Sequence, residues 1–184
     1  MPIPQNHPLH RLFAELVQRH LVGSAQIEDS DVARYIAGVL VEFTHVDNLY
    51  RVKNAAGKRL EEVGEMLIES NPLLGGRSFI YEREVRKHIG DFTLFFAGLF
   101  PEHLARVARR GLTTDAFIDY LKAGKESYLV VASFDQFEFR DVAPLYRRLS
   151  SQFELCVFGL NLMKQELAEN QRGWYEGVRR AIES

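Results

Sequence analysis

Apolar side chains recur every three or four residues along most of this 184-residue chain, and this spacing constrains the fold more than any other feature. Such a period places apolar residues on one face of an α-helix, whereas a half-buried strand needs strict alternation. The longest example contains Val142, Leu145, Leu149, Phe153, Cys156, Leu160, Met163 and Leu167. At about 1.5 Å per residue this helix would be roughly 40 Å long, and we expect it to be the central helix of a bundle.

Turn-forming and helix-capping residues divide the rest of the pattern into further helices. A first helix is predicted to begin near Pro8 and to end at Gly23, because proline suits the first turn of a helix. Asp29, Ser30 or Asp31 can cap a second helix, whose apolar stripe extends as far as Tyr50. A third helix is predicted for residues 58–70, and the glycine and proline residues that follow predict a loop.

The second half of the chain continues in the same way. A fourth helix takes up most of the most apolar run, residues 83–104, and Pro101 within that run begins a short fifth helix that ends at Gly111. A sixth helix is predicted for residues 115–124, with Gly124 at its end. Residues 126–133 are predicted to be helical and to be followed by an irregular bend, because a lone strand there would have no sheet partner.

The sequence therefore predicts an all-α, single-domain helical bundle over residues 1–184, with about six to eight helices and one long C-terminal helix. A hydrophobic content of 46% is enough to bury a sizeable core. No repeat or long linker divides the chain into smaller domains.

Charge and targeting signals limit the classes of partner and location. A formal net charge of −2 gives no general attraction to nucleic acid. The chain has neither a signal-peptide pattern at its start nor an apolar run that could cross a membrane, so we expect a cytoplasmic protein without membrane insertion. Cys156 is the one cysteine, which excludes an internal disulfide, and its apolar neighbours predict an unreactive thiol.

Three short segments resemble parts of anion-binding loops. Residues 54–59 (NAAGKR) and 122–127 (KAGKES) contain Gly-Lys, and residues 75–78 (GGRS) combine two glycines with Arg77. The first two lack the earlier glycine and the following serine or threonine of a P-loop. The third could supply amides and a guanidinium to an anion, but a plain flexible turn is the leading interpretation. None of the three identifies a nucleotide site.

One set of residues has the chemistry of a metal site. Glu42 and His45 are three positions apart on the predicted second helix, and Glu84, His88 and Asp91 fall on one flank of the fourth. If the two flanks face each other, they would suit Zn, Mn or non-haem Fe. Di-iron bundles use Glu-x-x-His twice, whereas it occurs once here, so mutual hydrogen bonding within the fold is the leading interpretation. A haem ligated by His88 beside nearby phenylalanines is a further alternative.

Aromatic residues outside the regular helices are the candidates for a protein interface. Phe134, Phe137 and Phe139 crowd the predicted bend, and Trp174 and Tyr175 lie in the short closing segment. Large aromatic side chains are enriched in the centres of interfaces. The sequence therefore favours a non-catalytic bundle that has no cofactor. This bundle would act by binding a protein partner, including a second copy of itself. A metal-dependent enzyme or sensor and a binder of a small apolar ligand are the alternatives.

Overall fold

The computed structural model describes residues 7–75, 77–109 and 119–183. Within these ranges the chain forms eleven α-helices and no strand, which confirms the predicted all-α fold. The helices are α1 (Pro8–Val17), α2 (Ser30–Glu42), α3 (Val46–Leu49), α4 (Val63–Ser70), α5 (Pro72–Gly75), α6 (Phe79–Leu99), α7 (Pro101–Arg109), α8 (Tyr120–Ser133), α9 (Ala143–Ser151), α10 (Phe153–Asn170) and α11 (Arg172–Glu183). A π-helical segment, Gln18–Ser24, extends α1 close to the predicted end at Gly23. None of the described helices combines the length and apolarity needed to cross a membrane.

Side-chain caps determine where several helices begin. The Asp29 carboxylate precedes α2 and accepts hydrogen bonds from the amides of Asp31 and Val32, at 3.0 and 3.1 Å. Ser78 and Asp119 cap α6 and α8 in the same way. Each cap satisfies amides that have no partner inside the helix, and the predicted cap at Asp29 is confirmed.

α6 is the central helix of the fold. Every residue from 88 to 99 is buried, which requires neighbours on all sides of the helix. α8, α10 and α4 are the helices that contact it most extensively. The centre is therefore the apolar run of the fourth predicted helix, and not the C-terminal segment.

The predicted long C-terminal helix is divided in two. α9 ends at Ser151 and α10 begins at Phe153, and Gln152 between them has φ −106° and ψ 14°. The Gln152 amide still donates to the Arg148 carbonyl, and the Gln152 carbonyl accepts from the Cys156 amide. Because the hydrogen-bond pattern continues on both sides, the break leaves the apolar stripe in register. Such breaks, with the short α3 and α5, raise the number of helices above the predicted six to eight.

The second predicted helix also ends early. α2 stops at Glu42, where the Thr44 hydroxyl donates to the Leu40 carbonyl at 3.1 Å. The Asn48 side-chain amide donates to the Glu42 carbonyl at 2.7 Å. These side chains satisfy the carbonyls at the helix end and compete with a further helical turn. The Glu-x-x-His spacing predicted that Glu42 and His45 lie on one helix. This prediction is wrong, because α2 ends at Glu42.

The helix predicted for residues 115–124 continues well beyond that range. Residues 110–118, which include the predicted end of the fifth helix, lie outside the described part of the chain. α8 passes through Gly124 without interruption, so the predicted end at this glycine is wrong. The helix continues to Ser133, which is the predicted end of the helical stretch at residues 126–133. A 3-10 turn follows at Phe137–Phe139.

Candidate functional site

Asp91 lies on the central helix and is fully buried, so its carboxylate needs partners. Its Oδ1 accepts hydrogen bonds from the hydroxyls of Tyr35, at 2.6 Å, and Tyr128, at 2.8 Å. Its Oδ2 accepts one from Nζ of Lys87, at 2.7 Å. We call these four residues the Asp91 cluster. One carboxylate thereby connects α2, α8 and α6 across the core.

The partners of Asp91 keep their protons. Burial and the nearby carboxylate raise the pKa of Tyr35 and Tyr128 well above that of a free tyrosine. Burial alone would lower the pKa of the Lys87 ammonium, but Asp91 offsets this effect and the pKa is raised. The Tyr146 ring packs against both tyrosines, with centroids 5.5 and 5.9 Å apart. The cluster therefore holds its protons in place at neutral pH, which suits a structural role better than proton transfer.

His88 bonds a different partner. Its Nε2–H donates to the Leu49 carbonyl at 2.9 Å, and its ring lies edge-on to Phe43. Nδ1 is buried and has no hydrogen-bond partner in the described ranges. Burial lowers the pKa of His88 to about 3, and the positive charge of Arg51 makes a smaller contribution in the same direction. The ring is therefore neutral at physiological pH, and it joins the central helix to the end of α3 without presenting Nε2 to a haem.

We expect His88 to make the fold sensitive to mild acid. Between about pH 6.5 and 5.5 the imidazole of the unfolded chain takes up a proton, whereas the folded imidazole, with a pKa of about 3, does not. Protons therefore favour the unfolded state, and stability present above pH 6.5 is lost as the pH falls. The expected loss over this unit is about 1 kcal/mol, measured by urea unfolding at both pH values. His88→Gln keeps a donor for Leu49 but does not titrate, so an equal pH dependence in this variant would contradict the assignment.

Four of the five candidate metal ligands have separate partners, and the fifth, His45, is exposed. Glu42 and Glu84 each pair with an arginine, and His45 is exposed before α3. His88 and Asp91 bond the groups described above. Across the described residues, no group of three or more His, Cys, Asp or Glu side chains could hold a metal ion. The early end of α2 removes the second flank on which the metal hypothesis depended.

The bend after α8 presents an aromatic side chain to solvent. Phe137 is 90% exposed and has a φ of +52°, a left-handed conformation that is unfavourable for a bulky residue. Phe134 and Phe139 are half-buried and pack edge to face, with centroids 6.5 Å apart. The Arg83 guanidinium lies 4.0 Å from the centre of the Phe139 ring. We call residues 134–139 the aromatic turn: its base is fixed on α6, and Phe137 projects from it.

The other candidate interface residues belong to the core. Tyr175 is buried, stacks on Phe100 with centroids 5.1 Å apart and donates to the Leu99 carbonyl. Trp174 is half-buried and its indole N–H donates to the Thr44 hydroxyl at 3.2 Å. These two candidates therefore do not form an exposed patch, because their side chains fasten α11 to the bundle.

A cleft of about 560 Å³ lies beside the Asp91 cluster, between α2 and α9. Tyr35, Val39 and Leu145 supply apolar surface to it. Six charged side chains also line it: Asp31, Arg34, Glu42, Lys87, Asp141 and Arg148. Because an apolar ligand would desolvate these charges at a cost, the cleft does not favour the small apolar ligand considered above.

Sequence reasoning missed most of the groups around Asp91. Lys87 was visible as a neighbour four residues earlier on the same helix. Tyr35 and Tyr128 are 56 and 37 residues away, and no local pattern connects them to Asp91. Cys156 is buried and its thiol pKa is raised to about 12 by burial, as its apolar neighbours predicted. Comparisons of the chain with protein-family models, curated proteins and solved structures found no match.

Proposed function

We propose that this chain is a non-catalytic helical-bundle protein that binds another protein through the aromatic turn, with Phe137 as the anchor. The observation that carries the proposal is that Phe137 combines a 90% exposed side chain with a left-handed backbone. The backbone conformation alone costs about 1–2 kcal/mol. Strain of this kind persists where surrounding structure enforces it, and it clusters at functional sites.

The structure around Phe137 is suited to hold an anchor in position. Phe139 is stacked by Arg83, whose side chain is 7% exposed, and Phe134 supports Phe139 from the side. A residue presented in this way loses little conformational entropy on binding. Anchors of this type are large aromatic side chains that enter a pocket on the partner.

The charges beside Phe137 indicate the chemistry of the partner. Asp135 and Glu138 are exposed on either side of it, and Arg140 and Asp141 follow. The segment from 135 to 141 therefore carries three carboxylates and one guanidinium. We expect a partner surface with an apolar pocket for one aromatic ring, surrounded by lysine and arginine side chains.

Further exposed apolar side chains lie at the start of α6, one turn before Arg83. Phe79 and Ile80 are 68% and 56% exposed, and they precede Arg83, which contacts Phe139, by one helical turn. Leu73 and Leu74 on the preceding short helix are also exposed. Exposed apolar side chains are typical of protein-binding sites where they lie together, and we propose that Phe79 and Ile80 belong to the contact area.

Phe137→Asn is expected to stabilise the fold and weaken partner binding. Asparagine tolerates the left-handed region better than phenylalanine, so the free energy of unfolding should rise by about 1 kcal/mol. Leu129→Asn is the matched control, because Leu129 is 53% exposed on the regular α8 helix. This control should give no gain in stability and no loss of binding. Urea unfolding of both variants measures the first effect.

The partner can be captured with a photo-crosslinking phenylalanine analogue at position 137, with position 129 as the control, in cells that express the full chain. We expect one protein to form an adduct at 137 and not at 129; an adduct with the mass of two chains would identify a second copy as the partner. The affinity of the purified complex should then fall at least about 30-fold in Phe137→Asn, the loss typical of an anchor residue. Equal crosslinking at both positions, or an unchanged affinity, would refute the proposal.

A further inference from the structure

A second pocket, with a volume of about 480 Å³, lies between the loop that follows α3 and the first turns of α6. We call it the basic pocket, because Arg51, Lys53 and Arg77 line it together with one carboxylate, Glu84. The whole chain carries a net negative charge, so this concentration of cations is local. It is separate from the aromatic turn and has no part in the proposed function.

Two segments that the sequence only loosely associated with anions meet at this pocket. Asn54, Ala55 and Gly57 of the segment at 54–59 line one wall, and Arg77 of the segment at 75–78 lines another. Neither segment has the spacing of a P-loop. The fold nevertheless brings their cationic and backbone groups to one cavity, which no reading of either segment alone could predict.

Arg77 is held in position before any ligand arrives. Its Nε donates to a carboxylate oxygen of Glu69 at 2.8 Å, and its guanidinium lies 4.3 Å from the centre of the Tyr81 ring. The Tyr81 hydroxyl in turn donates to the Lys53 carbonyl at 3.2 Å. These contacts join both sides of the basic pocket and reduce the entropy that Arg77 would lose on binding.

The loop that carries Lys53 is also well defined. The Asn54 side-chain oxygen accepts hydrogen bonds from the amides of Ala56 and Lys58, both at 3.0 Å. Gly57 has a φ of +80°, which glycine adopts without strain. Arg51, at the start of the loop, pairs through Nη1 with Glu42. Lys53 is therefore part of a loop with defined hydrogen bonds, while its side chain is exposed.

We propose that the basic pocket binds a small organic phosphate. Lys53 and Arg77 hold the phosphate group, because a guanidinium fork and an ammonium match its oxygens. Val52 and Val85, which also line the pocket, contact the apolar part of the ligand. The volume of the pocket is in the range of small-molecule sites and is too small for a folded partner.

Phenyl phosphate and inorganic phosphate are the probes that test this site in the full-length protein. Titration of phenyl phosphate, followed by amide chemical shifts, should perturb residues 51–57 and 77–85 and saturate below about 10 mM. Inorganic phosphate should bind more weakly, since it has no apolar part. The affinity for phenyl phosphate should fall as salt is added. No saturable shift in these residues, or equal affinity for the two probes, would overturn the proposal.

Matched lysine variants separate a specific site from general attraction. Lys53→Gln should weaken phenyl phosphate binding about tenfold, as expected for loss of one hydrogen bond to a charged group. Lys122→Gln removes an equally charged, 69% exposed lysine on α8 and should leave the affinity unchanged. Arg77→Lys keeps the charge but loses the fork, and should also weaken binding. Equal effects of Lys53→Gln and Lys122→Gln would contradict a built site.

Discussion

Asp91→Leu is expected to lower the free energy of unfolding by about 3–5 kcal/mol, the usual result of removing one partner from a buried ion pair. The substitution leaves the Lys87 ammonium, which is 20% exposed, without its carboxylate. It also leaves the hydroxyls of Tyr35 and Tyr128 without their acceptor. Urea unfolding at neutral pH measures the loss. A change below about 1 kcal/mol would show that the Asp91 cluster does not hold α2, α6 and α8 together.

The double variant Lys87→Met/Asp91→Leu is the control for this prediction. It removes both charges, so the cost of an unpaired ammonium disappears and only the two hydroxyls remain without an acceptor. Replacement of a whole buried ion pair by apolar side chains is often close to neutral. We therefore expect the double variant to be more stable than Asp91→Leu alone, and a double-mutant cycle with Lys87→Met gives the coupling energy. Additive losses would mean that the two side chains do not depend on each other.

The apolar spacing predicted the fold class because helix periodicity reports which side chains face the core. It did not predict where helices break. At Gln152 the backbone leaves helical geometry for one residue while the neighbouring hydrogen bonds continue, so Leu149 and Phe153 still face inward on either side. At Glu42 the helix ends although the apolar stripe continues to Tyr50. A stripe is compatible with one helix or two, and at the end of α2 the side chains of Thr44 and Asn48 satisfy the carbonyls where the helix stops.

The polar residues on α6 illustrate what local spacing does and does not specify. Glu84, His88 and Asp91 were correctly placed on one helix, but their partners depend on the packing of distant segments. His88 bonds the end of α3, and Asp91 bonds tyrosines from two other helices. Hydrogen-bond partners across a core have no fixed sequence separation, so the residue types and their spacing along each helix, on which the metal hypothesis was based, could not identify them. The aromatic turn was predicted correctly as a bend, because its strand-like alternation of phenylalanines has no sheet partner in a helical bundle.

Gly124→Ala is expected to destabilise the protein by about 3 kcal/mol, at the upper end of the usual effect of overpacking. A methyl group on Gly124 would overlap the Thr93 hydroxyl and the Phe153 ring. Neither can move easily: the hydroxyl donates to the Ile89 carbonyl at 2.7 Å, and Phe153 is fully buried. The sequence suggested that this glycine ends a helix, whereas its role is to let α8 approach α6 and α10 closely.

Gly38→Ala is the matched control, because Gly38 is an exposed glycine within α2 and a methyl group there would meet no atom within 4 Å. Alanine is favoured over glycine inside a helix by about 0.5–1 kcal/mol, so this variant should be more stable than the wild type. The same substitution is therefore expected to act in opposite directions at two helical positions, and urea unfolding of both variants measures the difference. If Gly124→Ala were also stabilising, α8 could not lie as close to Thr93 of α6 and Phe153 of α10 as the structure places it.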